Sequence, residues 1–125
     1  MIFGIGTDIV EVARIKASLE EFGDAFAQRI LAESELPSYA ASGIKPRFLA
    51  KRFAAKEAFS KALGTGLRAP ATLQNIAVSH DELGKPVLIL APELQALLDA
   101  KNIKHTHISI SDEKNLAAAF VVLEV

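Results

Sequence analysis

Along the first half of the chain, the hydrophobic positions change from a continuous run to a spacing of three and four residues. The run from 2 to 10 is mostly apolar and contains two glycines, which predicts a buried strand that ends near Asp8. Beyond it, apolar residues at helical spacing predict a series of helices. These predicted helices cover residues 12–22, 25–31, 33–41 and 46–63. Gly64 is expected to end the last of them, since glycine readily adopts the left-handed conformation needed there.

In the second half, short apolar segments predict strands on either side of one further helix. The predicted strands cover residues 75–81, 87–90, 105–111 and 117–125, and the helix covers 92–102. In the third of these strands, histidines and serines alternate with Thr106, Ile108 and Ile110, so one face should be polar. The pattern as a whole predicts an α+β fold, with helices packed on a mainly antiparallel sheet, in one domain over residues 1–125.

Composition narrows the class of protein. The chain has 125 residues, half of them hydrophobic, and a net charge of −1, so neither nucleic acid nor a membrane surface is expected as a partner. It has no cysteine, which excludes disulfides, thiolate chemistry and zinc–sulfur sites. The apolar N-terminus reaches Asp8 too soon for a signal peptide, and no segment approaches membrane-spanning length. We therefore expect a soluble, cytoplasmic protein.

The segment 53–66 predicts an amphipathic helix with a short, cationic polar face. Its apolar stripe consists of Phe53, Ala54, Ala58, Phe59, Ala62 and Leu63. The opposite face is expected to carry Lys56, Glu57, Ser60 and Lys61. Because Glu57 and Lys61 are one turn apart, they could together hold a divalent metal and a phosphate. They could equally form an ordinary ion pair that contributes about 0.3 kcal/mol to the helix.

The long helix also has a surplus of positive charge. Its basic residues are Arg47, Lys51, Arg52, Lys56 and Lys61, and they oppose only Glu57. A helix with such a surplus often faces a phosphorylated ligand that relieves the repulsion. The alternative is that Glu33, Glu35 or other acidic side chains neutralise it.

Asp8 is a second candidate for chemistry, because a carboxylate at the end of an apolar strand needs a partner. It could instead cap the helix expected to begin near Val10, since aspartate is a favoured N-cap residue. His105 and His107 could form a metal pair on one strand face, but without a third histidine nearby or any cysteine a zinc site is not expected. The segment from Gly64 to Gly66 lacks the lysine of a phosphate-binding loop.

Two motifs in this order and spacing resemble those of the holo-[acyl-carrier-protein] synthase family, which belongs to the 4′-phosphopantetheinyl transferases. The motifs read Gly6-Thr-Asp-Ile-Val-Glu11 and Arg52-Phe-Ala-Ala-Lys-Glu-Ala-Phe-Ser-Lys61. The resemblance extends over the whole chain, including Gly84-Lys-Pro86 and the segment 107–113. It implies the fold of that family. It also implies transfer of the 4′-phosphopantetheine arm of coenzyme A to a serine of apo-acyl carrier protein, with release of adenosine 3′,5′-bisphosphate.

The resemblance also assigns roles to residues. It implies that Asp8 and Glu57 bind Mg²⁺ and that these two residues and Lys61 are catalytic. The serine proton would go to Glu57 or to a water held by Asp8 and the metal. The residues expected to bind coenzyme A are Arg52, Lys61, Gly64, Pro86 and His107. The family is typically a homotrimer with sites between subunits, so Glu57 and His107 could belong to different chains.

Acyl carrier proteins are strongly acidic, and the family docks them on basic residues of the first helix. Arg14 and Arg29 match this role, although residues 20–24 are more acidic here than in some relatives. Two other functions remain open from the residues. One is a non-catalytic coenzyme A-binding module, and the other is a metal-dependent nucleotide phosphohydrolase that needs no protein acceptor.

Overall fold

Two antiparallel sheets and five α-helices make up the fold in a computed structural model that describes residues 1–125. The strands are β1 (Ile2–Glu11), β2 (Ile76–His80), β3 (Pro86–Leu90), β4 (His105–Asp112) and β5 (Leu116–Glu124). The helices are α1 (Val12–Phe22), α2 (Asp24–Ile30), α3 (Leu36–Ala41), α4 (Lys45–Leu63) and α5 (Pro92–Ala100). Short 3-10 helices cover Glu33–Glu35 and Leu73–Asn75. The predicted α+β class with antiparallel strands is confirmed.

The larger sheet has the strand order β1-β5-β4, and β2 pairs with β3 in a separate hairpin. Helix α4 packs across one face of the larger sheet, which we call the inner face. Alternate residues of β5 point to this face and are buried there: Ala117, Ala119, Val121 and Leu123. The opposite, outer face carries the residues between them. Most of the hydrophobic core therefore lies between α4 and the inner face.

Two glycines of β1 allow the strand to approach α4 closely. A Cβ atom at Gly6 would lie 2.0 Å from the carbonyl oxygen of Ala58, and one at Gly4 would lie 2.0 Å from that of Ala62. No side chain fits between these backbones. The close approach brings Asp8, two residues after Gly6 on the same face of β1, against α4.

Helix α4 is less amphipathic than its sequence predicts. Lys56 and Ser60, expected on a solvent-facing side, are 0% and 1% exposed, and Arg52 is also buried. The prediction was wrong because α4 is covered twice, by the larger sheet on one side and by α1, α2 and β2 on others. On the predicted polar face, Lys61 is exposed and Glu57 partly so.

Strand β1 is longer and more exposed than predicted. It continues to Glu11, and α1 begins at Val12 with no side-chain hydrogen bond at its N-cap. Asp8 therefore lies within a strand, paired with Ala119, and does not cap a helix. The prediction of a buried strand was also wrong, since Ile5 and Ile9 are 58% and 67% exposed on the outer face.

The outer face of the larger sheet combines apolar and polar rows. In the strand register, Ile5 of β1 lies beside Val122 of β5, and Ile9 lies beside Ala118. Phe120 of β5 lies between Thr7 of β1 and Ser109 of β4. The β4 row consists of His105, His107, Ser109 and Ser111, all exposed, while Ile108 and Ile110 on the other side are half-buried. The predicted alternation in this strand is confirmed.

None of the helices has the length and apolar character needed to cross a lipid bilayer. The cytoplasmic location stays a prediction.

Candidate active site

Asp8 and Glu57 line one cavity of about 510 Å³ between β1, α1, α2 and α4. We call it the carboxylate cavity. Arg14 of α1 and Arg29 of α2 line it as well, both exposed and neither in an ion pair. Its remaining wall is largely apolar and includes the rings of Phe22, Phe26 and Phe53. Four residues predicted from the sequence, two acidic and two basic, thus surround the same space.

The two carboxylates interact electrostatically. Partial burial raises the pKa of Glu57, the negative charge of Asp8 raises it further, and Lys61 partly opposes both effects. Lys61 Nζ donates hydrogen bonds of 3.0 Å to Asp8 Oδ1 and to the carbonyl oxygen of Thr7. The Lys61 ammonium, for which an ion pair with Glu57 along the helix was one alternative, is therefore bonded to Asp8 across the β1–α4 contact.

The donor set of the carboxylate cavity fits Mg²⁺. This ion usually binds one or two protein carboxylates and fills its other positions with water and substrate phosphate oxygens. The chain brings together no group of three or more histidine, aspartate or glutamate side chains that could hold a metal. The ring centroids of His105 and His107 lie 6.5 Å apart.

A second cavity, of about 240 Å³, lies beside the β2–β3 hairpin, and we call it the hairpin cavity. Arg52 and Pro86 line it together with Lys51, His80 and Gly84. Burial lowers the pKa of His80, and the charges of Arg52 and Lys51 lower it further. With Lys51 and Arg52 against Asp112 in its lining, the cavity carries a small excess of positive charge.

The positive surplus of α4 is partly neutralised within the chain. Arg52 and Lys56 both pair with Glu35, at 2.8 and 2.5 Å, and Arg47 and Lys51 both pair with Asp112, at 3.5 and 3.9 Å. Burial tends to raise the pKa of Glu35, but Lys56 and Arg52 outweigh this effect and hold it below its ordinary value. Neutralisation by acidic side chains, the alternative to a phosphorylated ligand, therefore accounts for part of the surplus, because four cations share two carboxylates.

Comparisons with known proteins give the family. Residues 4–121 match the model of the 4′-phosphopantetheinyl transferase superfamily. The chain belongs to this superfamily. A curated holo-[acyl-carrier-protein] synthase of Nitrosospira multiformis is 56% identical over 124 residues, with 99% of both chains covered. That of Nitrosomonas europaea is 58% identical over 125 residues, again with 99% of both covered.

Solved structures agree with this assignment to the phosphopantetheinyl transferases. The crystal structure of holo-[acyl-carrier-protein] synthase from Neisseria meningitidis has a TM-score of 0.97 and 48% identity, with all of both chains covered. A holo-(acyl-carrier-protein) synthase from Bacillus anthracis, solved in complex with CoA (3′,5′-ADP), has a TM-score of 0.81 and 41% identity, covering 98% of this chain and 96% of that one. The predicted family and fold are confirmed.

The remaining predicted site residues of this phosphopantetheinyl transferase lie away from the carboxylate cavity. Gly64 ends α4 with φ +87°, as predicted, and nothing lies within 4 Å of where its Cβ would be. His107 lies on the outer face and its Nε2 is 2.5 Å from Glu124 Oε1. Since Asp8 lies on the inner face, the sheet separates His107 from the carboxylate cavity within one chain.

Sequence reasoning did not assign a place in the site to several residues around the two cavities. Lys51 and His80 line the hairpin cavity, and Glu35 pairs with the buried cations of α4. Lys51 had been named only in the basic surplus of α4, and Glu35 only as one residue that could neutralise it. His80 had no signal beyond its residue type.

Proposed function

We propose that this chain transfers the 4′-phosphopantetheine arm of coenzyme A to a serine of apo-acyl carrier protein. The observation that carries the proposal is the pair Asp8 and Glu57, held in one cavity with Lys61 bonded to Asp8. The names of relatives at 56% and 58% identity support the same reaction. A coenzyme A complex of a related structure supports coenzyme A as the donor.

In this proposal, Asp8 and Glu57 hold Mg²⁺, which suits their oxygen donors. When bound, the ion reduces the negative charge of the pyrophosphate that the serine hydroxyl must approach. Lys61, whose Nζ is 3.0 Å from Asp8, stabilises charge on the phosphates. The serine oxygen bonds to phosphorus, and the bond from that phosphorus to adenosine 3′,5′-bisphosphate breaks. Glu57, or a water held beside Asp8, accepts the serine proton.

Coenzyme A is proposed to contact the middle of α4, its C-terminal end and the hairpin. Arg52 and Pro86 line the hairpin cavity, where basic side chains suit a nucleotide with several phosphates. Gly64 leaves open space at the end of α4, next to Lys61. His107 cannot reach these groups through its own sheet, so it is proposed to contact coenzyme A bound to a neighbouring subunit.

We also propose that the chain forms a homotrimer, the assembly that the family resemblance implies. The exposed apolar side chains of the outer face, Ile5, Ile9 and Phe120, form a patch of the kind that marks interfaces. Burying this patch against another subunit places His107 at the interface, since it lies on the same face two strands from Ile5.

Phe120→Asp should dissociate the oligomer, because a carboxylate in the centre of an apolar interface loses its hydration without gaining a partner. Sedimentation should give three times the chain mass for the unchanged protein and one chain mass for the variant. Leu83→Asp is the matched control, since Leu83 is 95% exposed on the hairpin turn, off the outer face. An unchanged protein that sediments as a single chain would contradict the trimer.

The acidic carrier protein is proposed to dock at the rim of the carboxylate cavity, on Arg14 and Arg29. Arg14→Ala should raise the KM for carrier protein roughly two- to fivefold, the range of an exposed ion pair, and leave that for coenzyme A unchanged. Steady-state rates at varied carrier protein test this, with Lys101→Ala as a control because Lys101 lines neither cavity. An equal rise in both KM values would show that Arg14 does not act in docking.

The reaction itself is tested by the intact mass of apo-acyl carrier protein incubated with the enzyme, coenzyme A and Mg²⁺. A gain of one phosphopantetheine group, absent after EDTA treatment, is the expected result. Nucleotide release without any mass gain would instead indicate a phosphohydrolase. Binding of coenzyme A with neither product would indicate a non-catalytic module.

A further inference from the structure

Glu35, Arg52 and Lys56 form a buried cluster between the two cavities, which we call the ion triad. The three residues are 2%, 6% and 0% exposed. Glu35 belongs to the 3-10 helix before α3, and the two cations lie one turn apart on α4. No step of the proposed reaction uses Glu35 or Lys56, so their burial needs a separate explanation.

Every oxygen of the Glu35 carboxylate is fully engaged. Its Oε1 accepts hydrogen bonds from Ala32 N–H at 2.8 Å and from Lys56 Nζ at 2.5 Å. Its Oε2 accepts hydrogen bonds from Arg52 Nη1 at 2.8 Å and from Val78 N–H at 3.0 Å. The carboxylate thus fixes the 3-10 helix, α4 and β2 relative to one another.

Lys56 extends these contacts to the carboxylate cavity. Its ammonium has three donors, and the two that Glu35 does not use bond to the carbonyl oxygens of Ile30 at 2.7 Å and Leu73 at 2.9 Å. Ile30 and Leu73 both line the carboxylate cavity. Lys56 therefore binds two backbone carbonyls of the cavity wall, and it directly precedes Glu57 in α4.

Arg52 connects the Glu35 carboxylate to the hairpin cavity. It lines that cavity itself, and its Nη1 also bonds to the carbonyl oxygen of Val78. Val78 lies two residues before His80, another lining residue, in β2. One carboxylate thus connects the walls of both cavities through two cations.

We propose that Glu35 is a positioning residue for phosphopantetheine transfer, one that sets the carboxylate cavity and the hairpin cavity at the spacing the reaction needs. The inference rests on the proposed function. Buried ionic clusters often contribute little net stability compared with apolar side chains of similar volume, so stability alone does not explain the triad. The need to orient the reacting groups explains the ion triad, because misplacement of such groups by about 1 Å can reduce a reaction rate about 100-fold.

The test uses Glu35→Asp and Lys56→Met, both assayed well below their melting temperatures. Glu35→Asp keeps one negative charge beside the two cations but is one methylene shorter, so it should lower kcat about 100-fold and raise the KM values for coenzyme A and carrier protein about tenfold each. Lys56→Met leaves Glu35 and Arg52 as a balanced pair. In this variant the carbonyl oxygens of Ile30 and Leu73, in the wall of the carboxylate cavity, lose their hydrogen-bond donor. The KM for carrier protein alone should therefore rise.

Glu33→Asp is the matched control, since Glu33 lies in the same 3-10 helix, is exposed and makes no ion pair. It should keep both KM values. Amide hydrogen exchange in residues 30–32 and 73–78 should also accelerate in folded Glu35→Asp and not in Glu33→Asp, a local change that a uniform loss of stability would not produce.

Two outcomes would overturn these claims separately. An active unchanged enzyme together with a Glu35→Asp variant that melts lower but keeps kcat and both KM values would overturn the positioning role and leave the function intact. An unchanged enzyme that transfers nothing would overturn the proposed function, and the positioning role with it.

Discussion

Glu57→Gln should reduce the rate of phosphopantetheine transfer by about 100- to 1,000-fold, the loss typical of removing one group that stabilises transition-state charge. The substitution keeps the shape of the side chain but removes a negative charge that the proposed Mg²⁺ site requires next to Asp8. Glu57 is only partly buried and makes no ion pair of its own, so the fold should be retained. The initial rate of mass gain on apo-acyl carrier protein measures the effect.

Glu93→Gln is the control for this substitution. Glu93 lies in the first turn of α5, is exposed and lines neither cavity, so its loss of charge should leave the rate unchanged. The Mg²⁺ concentration needed for half-maximal rate should rise in Glu57→Gln and not in Glu93→Gln. A Glu57→Gln enzyme with a normal rate and normal Mg²⁺ dependence would remove Glu57 from the proposed metal site.

That Asp8 and Glu57 share one site was predicted from the family resemblance, because each lies in one of its two motifs. Even so, the residues alone left Asp8 open as a helix cap. The structure excludes that alternative, since β1 continues three residues past Asp8 before α1 begins. Helix boundaries shift in this way because a strand with a partner such as β5 can extend through residues whose spacing also suits a helix.

The buried cations were not predictable in the same way. Lys56 and Arg52 lie 21 and 17 residues from Glu35, so no local spacing connects them. A lysine on a helix is normally solvent-exposed, and its burial here depends on a carboxylate and two carbonyl oxygens supplied by other elements. Sequence reasoning listed Glu35 only as one of several acidic residues that could neutralise α4.

Strand β1 illustrates a different limit. Its run of apolar residues predicted burial, yet Ile5 and Ile9 are exposed in the single chain. A run of apolar residues indicates that these side chains are buried. It does not indicate whether they are buried within the chain or against another subunit. The apolar run and the exposed face agree once the outer face is buried between subunits, as the proposed trimer requires.

Gly6→Ala should have the second large effect, on both stability and activity. The new Cβ would lie 2.0 Å from the carbonyl oxygen of Ala58, and because this atom belongs to helical backbone it cannot move aside as a side chain would. Strand β1 and α4 must then separate, at a cost of about 1–3 kcal/mol in the free energy of unfolding. Chemical denaturation measures this change.

The effect on activity should exceed what the lost stability explains. Asp8 lies two residues after Gly6, and Glu57 precedes the obstructing Ala58, so the same separation moves the two carboxylates apart. Transfer by the folded variant should fall about 100-fold even at temperatures where unfolding is negligible.

Gly43→Ala is the appropriate comparison, since Gly43 is exposed with nothing within 4 Å of its Cβ position and should tolerate the methyl group. If Gly6→Ala unfolds more easily but transfers normally while folded, the close contact between β1 and α4 serves only the core. If both properties fall together and Gly43→Ala changes neither, the glycine that brings two backbones into contact also brings together the two carboxylates that the reaction requires.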